Sequence, residues 1–406
     1  MRRFLIIFTI AVLAIGFVFY TRPDPKPTVV KPEVVEQAIV LDPTLTKILL
    51  AYEEYIIESQ KQTGTPGAAI TIVKDSSIIY LNAFGVKEKG QRGTVDVHTS
   101  FRLASVSKSV TASLVGILVE DGVFAWDDPV VKFLPDFKLK SEEQTKALTI
   151  RHLLSHTTGL PYHAYTNLIE EGDSLTTMMN LLGDVDLIGG VGSVYSYQNV
   201  AFSIIAEVVK AATGNTFEDE MKARVFGPLH MTDASIDYLS FVNGANIAQP
   251  HLMRNRKWKA IPISQHYYNT SPAGGVNASI TDMGKWLVAM LGNKNEIIPK
   301  STIDTLFTPE VRATAKNRNF NKWNRIRKSY YGLGWRVINF KSDTIAYHGG
   351  YVNGFRSEVA VHPQERIAIC VLANSPSRFA DHAIPTFFKI YDKYNDEEVA
   401  QTAIAD

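Results

Sequence analysis

FRLASVSKSVTASLVGILVEDG, residues 101–122, is the stretch that decides how this chain reads. Val106, Val110, Leu114, Val115, Ile117, Leu118 and Val119 cover nearly the whole circumference of a helix, which predicts a buried central helix closed by Gly122. Near its start stands Lys108, three residues after Ser105, and residues three apart share one helix face. Burying an ammonium is unfavourable, so a lysine there needs partners or a lowered pKa. Such a lysine beside a hydroxyl holds or takes the proton that makes serine a nucleophile. Ser105, in the first turn, also lies among free backbone N–H groups that stabilise a developing oxyanion. The plain alternative is a capping serine and a surface lysine, and Ser-x-x-Lys alone does not choose between them.

Two further elements bear on the choice. Tyr197-Gln198-Asn199 stands immediately before another apolar helix, which Gly214 ends. A phenol near Lys108 is expected to be pushed toward phenolate, making Tyr197 a general base, and the Asn199 amide is a donor for the lysine region or a substrate carbonyl. The competing readings are a half-buried aromatic, an N-cap at Asn199, and Tyr195 as the relevant tyrosine. His348-Gly349-Gly350 ends the strand-like run DTIAYHGG, where glycines let a substrate backbone lie against a strand. The next N–H, that of Tyr351, is a candidate second oxyanion donor; a glycine-rich hairpin with a surface histidine is the competing reading.

Together, in this order and context, these elements resemble the serine β-lactamase and penicillin-binding-protein superfamily, in particular the class C β-lactamase and related esterase branch. FRLASVSK, LTIRHLLSHTTGLP, YQNVAF, SPAGGVNASITDMGKWLVAML, YYGLGW and HGGYVNGF carry the resemblance, from about Thr65 to Asn374. It implies an α+β fold in three layers (α/β/α), with a mainly antiparallel sheet built from both ends of the domain and an inserted, mostly helical subdomain. It implies Ser105 as the acyl-forming nucleophile, Lys108 as its proton partner and Tyr197 as the catalytic tyrosine. Asn199, His348, Gly350 and Tyr351 fall at substrate-binding positions. Class C enzymes have Lys-Thr-Gly where this chain has His-Gly-Gly, and a histidine is only partly charged at neutral pH. That substitution weakens the expectation of efficient β-lactam hydrolysis and leaves acyl transfer intact. The resemblance implies no metal and no organic cofactor, and a small-molecule or peptidoglycan-like peptide substrate. It also leaves room for a D,D-carboxypeptidase, a true β-lactamase, or a penicillin- or peptidoglycan-binding protein with little turnover.

The rest of the chain sets the frame. Its 406 residues are 45% hydrophobic and 20% charged, with a formal net charge of +1, so no basic stripe points to nucleic acid. The single cysteine, Cys370, rules out an intramolecular disulfide and reads as a small core residue in IAICVLAN. Residues 1–21 form an apolar run from Phe4 to Tyr20 behind Arg2 and Arg3, spanning roughly 25 Å as a helix. This reads as an uncleaved membrane anchor, with a cleaved signal as the second option, and it places the catalytic domain outside the cytoplasm. Residues 22–45, with five prolines, read as an extended linker, 46–395 as the hydrolase domain and 396–406 as an acidic tail.

Within the domain, AAITIVKD and SIIYLNAFG predict a hairpin. YYGLGWRVINF, DTIAYHGG, FRSEVAVHP and RIAICVLANS predict an antiparallel group near the end, followed by a helix at Ile384–Tyr394. His152 and His156 are four apart, yet no zincin glutamate stands beside them; Gly-x-Ser-x-Gly is absent; Gly332-Leu333-Gly334 lacks a third glycine. Trp258 and the pair Tyr267-Tyr268 suit a cleft wall or ordinary packing equally well.

Overall fold

The computed structural model of the chain describes residues 41–313, 323, 326–340 and 343–405. The expected anchor over 1–21, and the expected linker up to residue 40, lie outside the described residues. Among the described residues no helix is long and apolar enough to cross a membrane.

The last residues read as linker begin a helix instead. Helix α1 (Pro43–Thr63) has Asp42 as its N-cap, accepting the Leu45 N–H at 2.8 Å, and Pro43 in the first turn. Gly64, at φ 60°, ends it in the left-handed conformation that costs glycine least. Leu45, Ile48, Leu49, Tyr52 and Ile56 form its buried stripe.

The chain next lays down β1 (Gly67–Lys74) and β2 (Ser77–Gly85) as a hairpin. A long, mostly helical stretch follows, opened by helix α2 (Ser107–Glu120) and later holding α3 (Ile280–Val288). It includes two short strand pairs, β3 (Phe101–Arg102) with β6 (Asn277–Ala278), and β4 (His251–Arg254) with β5 (Lys257–Ala260). The C-terminal part returns as β7 (Val311–Arg312), β8 (Ile326–Tyr331), β9 (Arg336–Phe340), β10 (Asp343–Val352), β11 (Phe355–His362) and β12 (Ile367–Ala373). The large sheet has eight strands in the order β2-β1-β12-β11-β10-β9-β8-β7, antiparallel throughout. It closes where β1 meets β12, from Ala68 opposite Ala373 to Lys74 opposite Ile367, so the two ends of the domain share one sheet as expected.

Strand alternation sorts the core into two layers. Ala69 and Val73 of β1 and Cys370 and Leu372 of β12 face α2, α3 and the insert. Ile70 and Ile72, with Ile369 and Val371, face α1 and the terminal helix α4 (Arg378–Ala405). Each of the valine, leucine and isoleucine side chains among them, once buried, contributes about 1.5–3 kcal/mol, and this double burial explains the nearly unbroken apolar text of these strands.

Two expected elements differ. YYGLGWRVINF is two strands, because Gly334 takes φ 72° and turns the chain between Tyr331 and Arg336. A Cβ at Gly334 would stand 2.6 Å from the Lys108 carbonyl, so this turn docks on α2 at the lysine. The final helix begins at Arg378 and runs to Ala405, well beyond Ile384–Tyr394; it continues through Pro385 because Phe379, Ala383, Ile384, Phe387, Phe388 and Tyr391 on both sides of the proline are buried in one apolar cluster.

Candidate active site

Ser105 belongs to a short 3-10 turn, Ala104–Val106, that leads into α2, rather than to the α-helix itself. Ala104, the residue before it, has φ 48°, a left-handed conformation that costs a non-glycine residue on the order of 1–3 kcal/mol. The strain holds Ser105 half-buried at the edge of a cleft of about 210 Å³, also lined by Tyr197, Asn199, His163, Tyr267 and Tyr351.

Lys108, one turn on, is fully buried. Its Nζ donates to Asn199 Oδ1 at 2.8 Å and to the Ala273 carbonyl at 2.9 Å, and lies 4.7 Å from the centre of the Tyr197 ring. Burial, aided by the nearby Arg336 guanidinium, holds this amine well below the usual lysine range. In its deprotonated form the amine has two N–H bonds, which these two acceptors engage, and one lone pair. With Oδ1 engaged by Nζ, the Asn199 NH2 group is left for the cleft that Asn199 lines.

Tyr197 Oη donates to Ser105 Oγ at 2.9 Å. The expected phenolate does not form: burial raises the Tyr197 pKa, and the lowering by Arg336 is the smaller effect. Tyr195 packs instead on Tyr331 and His156, at 5.4 and 6.2 Å between ring centres, which decides between the two tyrosines.

The third element reaches the site through the register of the sheet. β9 pairs with β10 only over Asp343–Tyr347, whereas β11 follows β10 to Val352. Residues 348–352 therefore project past β9, and the alternation of an antiparallel ladder aims the Gly349 and Tyr351 backbone groups away from β11. Asn353 and Gly354, at φ 41° and 88°, make the tight turn that ends the projection. Gly350 lies against the nucleophile's turn: a Cβ there would stand 2.4 Å from the Leu103 carbonyl and 2.9 Å from Ser105 N. The N–H groups of Ser105 and Tyr351 thus come from adjoining segments.

His348 differs from expectation. Its ring is completely buried, with Nδ1 against the Gly349 carbonyl at 3.0 Å and Nε2 against Tyr331 Oη at 3.1 Å. Burial and, after it, the Arg336 guanidinium push its pKa well down, so it offers a substrate carboxylate neither charge nor a free N–H. The cation nearest Tyr197 from the sheet is Arg336, whose Cζ lies 5.5 Å from the Tyr197 ring centre; its buried Nε and Nη1 have no acceptor among the described residues.

Other candidates settle into plainer roles. His152 Nδ1 meets Thr149 at its helix start, and His156 points inward, so the two do not converge. Trp258 donates to the Thr63 carbonyl, away from the cleft. Tyr267 lines the cleft, while Tyr268 lies over the Arg102 guanidinium at 4.2 Å and bonds Asn277. Sequence reasoning missed His163, held at φ 57° beside Tyr197; its position two residues after Pro161, in PYHAYTN, was the available signal.

Fold and site define a class: the penicillin-binding-protein and β-lactamase type of fold, with a serine in the turn that leads into its central helix and a buried lysine on that helix. A model of the beta-lactamase family matches residues 53–387. The octameric penicillin-binding protein homologue from Pyrococcus abyssi superposes with a TM-score of 0.70 at 22% identity, covering 81% of this chain and 74% of that one. Among curated proteins, the unguisins hydrolase ungD' of Aspergillus campestris (strain IBT 28561) is 24% identical over 338 residues, 80% of this chain and 61% of that protein. Protein flp of Staphylococcus aureus (strain NCTC 8325 / PS 47) is 24% identical over 334 residues, 80% of this chain and 63% of its own length. The match thus spans about three-fifths of the length of these curated relatives. This chain belongs to the beta-lactamase family.

Proposed function

We propose that the protein is a serine acyl-hydrolase that opens an amide or ester carbonyl through an acyl-enzyme on Ser105. The observation that carries this reading is the Tyr197 hydroxyl bonded to Ser105 Oγ at 2.9 Å, beside a fully buried lysine whose Nζ bonds Asn199 Oδ1 and the Ala273 carbonyl. Lys108 Nζ takes the Ser105 proton as Oγ bonds to the carbonyl carbon, and the N–H groups of Ser105 and Tyr351 receive the oxyanion. When the tetrahedral intermediate collapses, the bond to the leaving group breaks and Tyr197 supplies the proton that group needs. Lys108 then returns its proton to Tyr197. In the second half, water attacks the acyl carbon, its proton passes to the same pair, and Ser105 leaves with a proton.

The hydrolase name of one relative and the penicillin-binding-protein title of the solved neighbour are consistent with this chemistry. With His348 enclosed and tyrosines at the cleft, we favour a neutral substrate with an apolar or aromatic flank over a β-lactam held by its carboxylate. Hydrolysis of a p-nitrophenyl ester, a chromogenic cephalosporin and a D-Ala-D-Ala peptide, with Ser105→Ala as control, tests it. Ester turnover above cephalosporin turnover, lost in the variant, is expected; no turnover of any of them, with no adduct, would refute it. We also read residues 1–21 as a membrane anchor that holds the domain outside the cytoplasm, which cell fractionation and protease accessibility on intact cells test.

A further inference from the structure

Behind the cleft, four hydrogen bonds run in series between the two segments that flank Ser105. The Gln198 N–H donates to His156 Nδ1 at 3.2 Å. His156 Nε2 meets Tyr331 Oη at 3.2 Å, and the same oxygen meets His348 Nε2 at 3.1 Å. His348 Nδ1 meets the Gly349 carbonyl at 3.0 Å. All three side chains are fully buried.

The ends of this chain fix its middle. A backbone N–H only donates, so His156 Nδ1 accepts and its proton sits on Nε2. A carbonyl only accepts, so His348 carries its proton on Nδ1 and presents a bare Nε2. Tyr331 must then accept from His156 and donate to His348. Every donor meets one acceptor, in one direction, with both rings neutral. An extra proton on His156 Nδ1 would face the Gln198 N–H, and one on His348 Nε2 would take the acceptor of the Tyr331 hydroxyl hydrogen. Burial, helped by the nearby Arg336 guanidinium, holds both rings neutral.

What the series joins is informative. Gln198 is the residue between Tyr197 and Asn199, and Gly349 directly precedes Gly350 and Tyr351 on the part of β10 that has left β9. The His156 ring also packs on Tyr197, 4.3 Å between centres, and His156 itself sits at φ 59°. We propose that His156 and Tyr331 are positioning residues, which through His348 set the spacing between the Tyr197 hydroxyl and the Tyr351 N–H on either side of Ser105. This rests on the acyl-transfer reading of Ser105. It gives His348 a function at right angles to the one its motif position suggests: it braces the edge of β10 and does not touch substrate. A displacement of the order of 1 Å at such a site costs up to about 100-fold in rate.

The test uses the full chain and two measurements. Tyr331→Phe removes only the hydroxyl at the centre of the series. For an ester turned over by the native protein, kcat should fall about 10- to 100-fold with KM within about threefold, as for a group that acts on the transition state rather than on binding. Equal kcat in the folded variant would overturn the proposal while leaving the acyl-transfer reading standing; a native protein without turnover and without a Ser105 adduct would sink that reading itself. Nitrogen-15 NMR of histidine-labelled native protein needs no variant. It should show His156 as the Nε2–H tautomer and His348 as the Nδ1–H tautomer at neutral pH, and a charged ring or two rings of the same tautomer would overturn the proposal.

Discussion

Tyr197 bonds Ser105 through its hydroxyl, at 2.9 Å, while it turns its ring face to Lys108 Nζ at 4.7 Å. One side chain therefore touches both members of the Ser-x-x-Lys pair by different chemistry. The face serves as a wall that keeps the amine dry, and the hydroxyl serves as a proton source at the nucleophile. The two uses are separable by mutation.

Tyr197→Phe keeps the wall and deletes the proton. Turnover of an ester should drop about 100- to 10,000-fold, the usual worth of a positioned acid or base. Thermal stability should change little, because the lost bond is to a half-buried partner. Steady-state kinetics together with a melting curve check this; near-native kcat would remove Tyr197 from the proton path.

Gly350→Ala should be damaging out of proportion to one methyl group. The added Cβ meets the Leu103 carbonyl at 2.4 Å and Ser105 N at 2.9 Å, both backbone atoms with little freedom to give way. Overpacking of this kind costs about 1–3 kcal/mol, read from urea unfolding. Ester hydrolysis should be lost even where the protein remains folded.

Stability should fall as pH drops below about 6.5, the unfolded-state value for histidine. His156 and His348 are both held well below that value by burial, so the unfolded chain binds protons that the folded chain refuses. Stability is complete above the unfolded value, and each histidine then removes about 1.4 kcal/mol per pH unit on acidification until its folded pKa is reached. Asp282 acts the other way: burial holds its pKa up at about 6, so it binds a proton in the folded state first. His152, His163, His251 and His362 are lowered in the same direction and Glu358 is raised like Asp282, so six histidines against two carboxyls leave a net loss, measurable by urea unfolding at pH 7.5 and 5.5. Unchanged stability across that range would mean the rings are not held neutral.

The sheet was legible because strands buried on both faces write long apolar runs, as in Ile367–Ala373, and helix α2 because its circumference is apolar throughout. Ser105, Lys108 and Tyr197 were legible as a set: the chemistry of each segment alone left its reading open, the resemblance carried by all the motifs together selected them, and the structure brings all three together. His348 was not legible in the same way. Its place after a strand put it near the site, but its burial depends on Tyr331, whose approach depends on a turn at Gly334 that periodicity reads straight through. The Tyr197 ionisation was misjudged for a related reason. A neighbouring lysine lowers a phenol's pKa only if that lysine is charged, and burial acts against charge on both groups.

The most direct measurement is mass spectrometry of the full chain after brief exposure to an activated ester or a fluorophosphonate, followed by peptide mapping. A single adduct on Ser105, absent from Ser105→Ala and much slowed in Lys108→Met, is the expected result. An adduct on another residue, or full labelling of the Ser105→Ala protein, would contradict the assignment of Ser105 as the nucleophile.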